Sequence, residues 1–81
     1  FGYLIDPDSA QERATAEALN HKLVARALAL EGTCTGEHGV GLHKMGFLLD
    51  ETGAGAVDMM RAIKRALDPK NILNPGKIFA L

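Results

Sequence analysis

Gly32 to Gly41 reads G-T-C-T-G-E-H-G-V-G, and this stretch decides how the chain is built. Four glycines within ten residues do not continue a helix at reasonable cost, because glycine gives up more conformational freedom on ordering than any other residue. The run therefore ends whatever precedes it, and marks backbone that takes unusual dihedrals or approaches a ligand closely. Inside it stand Glu37 and His38, side by side. Sequence neighbours cannot share one helix face, but in an irregular loop both can point into one cavity, offering a metal ligand and a proton acceptor. The plain alternative is a helix-to-helix loop in which this pair satisfies orphan amides and the glycines serve only turn geometry.

Working toward the N-terminus, the spacing predicts a helix over 9–31. Ser9 and Glu12 make an S-x-x-E capping box, and Asp8 places negative charge where the helix dipole favours it. Ala16, Leu19, Leu23, Ala27 and Leu30 form an apolar stripe that Val24 and Leu28 widen, and Gly32 stops the helix. His21 falls on its solvated flank, with no second histidine at helical spacing to make a metal pair. Before the helix, Phe1 to Ile5 have strand character up to the turn pair Asp6-Pro7. A lone strand leaves its backbone unpaired, and the chain opens without methionine, so the expectation is a C-terminal fragment of a larger protein, cut inside a sheet.

Working toward the C-terminus, a second helix is expected over 42–51, burying Leu42, Met45, Leu48 and Leu49, with Gly53 and Gly55 breaking it. A third is expected over 56–67, with Val57, Met60, Ile63 and Leu67 inward and Asp58, Arg61, Lys64 and Arg65 mostly outward. The methionines read as core filling rather than a cofactor box. Asp68-Pro69 ends that helix, since a residue before proline is pushed out of the helical region. The tail, 68–81, mixes apolar residues with turn formers and needs a surface to lie on. The fold class is thus mainly α, a three-helix fragment with room for a short N-terminal strand.

Composition narrows the function. An 81-residue chain with net charge -1 and 23% charged residues has no basic block to neutralise a phosphate backbone, which argues against nucleic acid as a partner. One cysteine, Cys34, allows no internal disulfide and reads as a small loop thiol. No apolar run reaches the ~20 residues of a membrane span. The glycines lack the G-x-x-x-x-G-K-[ST] pattern of a phosphate cradle, so Lys44 has no such role, and Lys77 reads as a solvated charge. A core this small also suggests a different class of function, a helical packing or association module whose uncovered apolar surface drives homo-oligomers.

The glycine loop and the later run R-A-I-K-R-A-L-D-P-K-N-I-L-N-P-G-K-I-F, Arg61 to Phe79, together resemble the C-terminal end of FAD-linked D-2-hydroxyacid dehydrogenases. The resemblance is to flavin-dependent D-lactate dehydrogenases, the glycolate oxidase FAD subunit and D-2-hydroxyglutarate dehydrogenase, within the vanillyl-alcohol-oxidase-type flavoproteins. It implies that Glu37 helps hold a divalent metal, zinc or manganese, which grips the substrate. It implies that His38 takes the proton of the 2-hydroxyl while the C2 hydride passes to FAD. Asn74 of the N-P-G-K tail becomes a candidate flavin contact. The implied substrate is D-lactate, with glycolate as the other choice, and a separate electron acceptor is the implied partner. In that family two further metal-binding histidines precede the segment corresponding to this chain. None of His21, His38 and His43 matches them, so the chain alone is expected to be inactive, and His43 reads as a surface residue. Location is expected to be cytoplasmic or at the inner-membrane periphery in a bacterium, and mitochondrial in a eukaryote.

Overall fold

The computed structural model describes residues 2–81 and divides into two compact units, Phe1–Gly32 and Thr33–Leu81. The first unit carries helix α1, Ala10–Ala29. Ser9 is its N-cap, and the Ser9 hydroxyl accepts from the Glu12 amide at 3.2 Å. The reciprocal half of the expected capping box is redirected. Glu12 accepts from the Asp6 amide at 2.8 Å, while the Ser9 amide donates to the Asp6 carbonyl at 3.0 Å. Asp6 also takes the Asp8 amide on its side chain at 2.9 Å, so the turn before the helix is stitched through Asp6.

The C-terminus of α1 is closed by paired bonds from Glu31 to Leu28 at 3.0 Å and from Gly32 to Ala27 at 2.7 Å. This is a Schellman closure, with Glu31 rather than a glycine in the left-handed conformation, at φ 64°. Gly32 is needed for a different reason: a Cβ there would lie 2.9 Å from the Ala27 carbonyl oxygen. Of the expected stripe Val24 is buried, whereas Leu19, Leu23 and Leu30 remain exposed.

No strand forms among the described residues, and Phe1 lies outside them. Residues 2–5 run instead beside the first turns of α1, where Tyr3, Ile5, Gln11, Thr15 and Leu19 help line a cavity of about 600 Å³. The reason is simple: strand-forming side chains do not make a strand where the backbone has no second strand to bond.

The second unit carries helix α2, Met45–Leu67, so two helical elements stand where three were expected. Helix α2 absorbs both expected segments, and the break between them shrinks to Gly53, at φ 83° and ψ 164°. That conformation is open essentially to glycine alone, and helical turns resume on either side of it without a connecting loop. Just before it, the Thr52 hydroxyl donates back to the Leu48 carbonyl at 2.8 Å, a bond that favours bending. Residues 42–44 form turns rather than the expected first turn of a helix, and Lys44 caps α2 with no side-chain bond. Phe47, Leu48 and Val57 are buried, Val57 to 3% exposure, each burial contributing about 1.5–3 kcal/mol.

The tail finds its surface on the C-terminal half of α2. Asp68 caps the helix, and its carboxylate accepts the amides of Ile72 at 3.1 Å and Leu73 at 2.9 Å. Lys64 bridges the Asp68 carboxylate and the Leu73 carbonyl. Arg61 donates to the Ala80 carbonyl and pairs with Asp58 at 2.7 Å. Arg61 and Lys64 therefore do not point mostly outward as expected. Their long side chains lie along the helix and hold backbone carbonyls that the irregular tail cannot satisfy itself.

Candidate active site

Glu37 and His38 lie in the bend between Thr33 and α2, with His38 Nε2 3.5 Å from Glu37 Oε1. Their side chains are 87% and 85% exposed, respectively. Apart from each other, they engage no partner among the described residues, and no backbone amide donates to either. They are therefore not the capping pair of the plain alternative. The local backbone explains how they come together: Gly39 at φ 76° and Gly41 at φ 54° take left-handed turns immediately after them. At either position a side chain would cost about 1–2 kcal/mol.

Both ends of this bend are tied down. At the entry, Glu51 Oε1 on α2 accepts the Thr33 hydroxyl at 2.7 Å and the Cys34 amide at 2.6 Å. The Thr33 hydroxyl bond, then the Cys34 amide, hold the Glu51 carboxyl below its usual range. At the exit, the Ile78 amide donates to the Gly41 carbonyl at 2.7 Å, with Ile78 itself left-handed at φ 73°. The glycine loop and the N-P-G-K-I tail thus meet directly. Cys34 is buried beside Glu51, and burial first, then the hydrogen bond and charge of Glu51, push its thiol up. A thiol so placed stays protonated at neutral pH and is no nucleophile.

Asn74 stands apart from the pair. It is left-handed at φ 48° and lines a cavity of about 220 Å³ with Lys64, Asn71, Lys77 and Phe79. Ligand pockets usually span about 300–1,000 Å³, so this cavity is too small to hold a whole flavin. Lys77 is exposed and, among the described residues, donates to the Pro75 carbonyl at 3.3 Å. His43 is exposed, and His21 lies 4.0 Å from Glu17 on the open flank of α1. Among the described residues no group of three or more His, Cys, Asp and Glu side chains is arranged to hold a metal ion. Glu37 offers a carboxylate donor of the kind that zinc and manganese take, and one such donor is not a metal site by itself.

Neither Glu51 nor Asp68 is prominent in the sequence. Asp68 carried a faint signal: a carboxylate at a helix C-terminus opposes the dipole, and Lys64 one turn earlier marks why it is tolerated. Glu51 carried none, because its bonds reach back to a hydroxyl and a backbone amide distant in sequence.

The family of FAD linked oxidases, C-terminal domain, matches residues 2–78. The chain belongs to that family. This FAD-linked oxidase segment is 52% identical over 75 residues to the mitochondrial D-lactate dehydrogenase (cytochrome) of Arabidopsis thaliana, covering 93% of this chain and 13% of the relative. It is 56% identical over 69 residues to the mitochondrial D-lactate dehydrogenase (cytochrome) 1 of Saccharomyces cerevisiae, covering 85% and 12%. It is 48% identical over 69 residues to glycolate oxidase subunit GlcD of Bacillus subtilis, covering 85% and 14%. The chain thus spans a small part of the length of each relative. No helix among its described residues is long and apolar enough to cross a membrane.

Proposed function

We propose that this segment supplies the Glu37–His38 half of the active site of an FAD-dependent D-2-hydroxyacid dehydrogenase, with D-lactate as substrate and glycolate as the shorter alternative. One observation carries the reading: a carboxylate and an imidazole 3.5 Å apart, exposed and with no structural bond to make. His38 accepts the proton of the substrate 2-hydroxyl at Nε2. Glu37 serves as one ligand of a divalent metal whose other ligands lie elsewhere in the longer protein. Bound FAD supplies the two-electron acceptor and the metal a Lewis acid for the hydroxyl. Asn74 touches one edge of the flavin. The 81-residue segment alone is inactive, because it offers two catalytic side chains and only a fraction of a cofactor pocket. The mitochondrial relatives support a mitochondrial location if the source is a eukaryote.

Expression of the full-length protein tests this. A yellow flavin spectrum that bleaches with D-lactate, and turnover with a dye acceptor, are the expected results; a colourless protein contradicts the reading. A second reading, an association module without catalytic role, is favoured by the exposure of Leu67 (80%) and Ile72 (71%), which leaves apolar surface for another molecule to cover.

A further inference from the structure

We infer that Glu51 is a positioning residue for the Glu37–His38 pair, an inference that rests on the function proposed above. Neither member of the pair is held by a bond of its own to the fold, so the precision with which they meet a substrate comes from the anchors of the loop that carries them. The exit anchor is the Ile78–Gly41 bond. The entry anchor is one carboxylate oxygen, Glu51 Oε1, taking a hydroxyl and an amide together. Bonds to an ionised acceptor are about twice as strong as neutral ones, and a single oxygen receiving two donors fixes both relative to α2. Thr33 and Cys34 are thereby locked to the helix, and the chain leaves Cys34 toward Glu37 in one direction. Truncation of Glu51 releases the Thr33 hydroxyl and leaves the part-buried Cys34 amide without its acceptor.

The experiment uses the full-length flavoprotein in wild-type, E51A, E51Q, T33V and H38N forms, with kcat, KM, flavin content and melting temperature measured for each. E51A is expected to lose about tenfold or more in kcat per bound flavin, since a misplacement of about 1 Å at catalytic groups can cost up to about 10²-fold. E51Q, whose amide oxygen keeps the acceptor, recovers the larger part of that loss. T33V, which removes one donor and leaves the carboxylate, loses several-fold and serves alone if E51A does not accumulate. An E51A protein, or failing that a T33V protein, with wild-type kcat per flavin while H38N is inactive overturns the role of Glu51 and leaves the function standing. A loss in E51A that only follows lost flavin or lost melting temperature, or that E51Q does not relieve, also overturns it. Turnover by H38N at the wild-type rate instead overturns the reading of the pair itself.

Discussion

The Ile78 amide donates to the Gly41 carbonyl at 2.7 Å, and through this bond the tail fixes the end of the loop that presents Glu37 and His38. Two motifs that lie far apart in the chain form one local structure. The bond is bought with backbone strain, because Ile78 is β-branched and sits at φ 73°, where such residues cost on the order of 1–3 kcal/mol.

That strain gives contrasting predictions for two substitutions in the full-length protein. I78G keeps the amide and relaxes the dihedral, so turnover per flavin is expected to stay within about twofold of wild type. I78P removes the donor and forces φ to about −65°, so a loss of about tenfold or more is expected. Equal turnover in the two variants would show that the loop does not depend on the tail.

Asp68 makes the attachment of the tail sensitive to acid. The Lys64 hydrogen bond first, then the Leu73 amide, hold the Asp68 carboxyl below its usual range, against the opposing effect of burial. A group whose folded pKa is depressed adds stability above its unfolded value, about 3.9, and that stability is lost as pH falls through the folded value. The melting temperature should therefore drop on acidification below about pH 4, and D68N should start lower at neutral pH and fall less steeply. Parallel curves for the two proteins would contradict the assignment. Glu51, depressed by Thr33 and Cys34, adds to the same acid transition with the same sign.

Cys34 gives a prediction at the other end of the pH scale. Its thiol is buried and pushed up by that burial and by Glu51, so the reactive thiolate is scarce at neutral pH. Alkylation of the native chain at pH 7 should be several-fold slower than that of the denatured chain and should speed up as pH rises. Equal native and denatured rates would mean that the loop entry is open.

The isolated 81-residue chain should self-associate. Leu67, Ile72, Leu73 and Met59 are exposed apolar side chains on the end of α2 and the tail, a combination that a soluble monomer rarely leaves uncovered. Light scattering after size exclusion is expected to report a mass that rises with loading concentration. A constant mass of one chain at high concentration contradicts this.

Much of the layout was legible because it is periodic or local. Ser9 announced α1 and Asp68-Pro69 marked the end of α2, whereas the expected stripe of α1 left Leu19, Leu23 and Leu30 exposed and only the flanking Val24 buried. The glycine loop, with Glu37 and His38 inside it, stood out because glycine clusters have few other uses. What was not legible is what bonds across the chain. The sequence could not say that Glu51 would reach Thr33 and Cys34, or that Arg61 and Lys64 would turn to the tail, since amphipathic spacing assigns charges only to a solvated side. It also set the break at Gly53 and Gly55 too wide, because a single glycine in an extended dihedral kinks a helix without ending it. Likewise Glu31, and not Gly32, took the left-handed position, because the close approach to Ala27 demands the glycine one residue later.

The central claim is that His38 takes the substrate proton, and rapid mixing of D-lactate with the full-length H38N flavoprotein tests it most directly. The account predicts a protein that retains its flavin and its melting temperature but shows flavin bleaching slowed by at least about 10²-fold, the contribution expected of a positioned general base. Bleaching at the wild-type rate would contradict it.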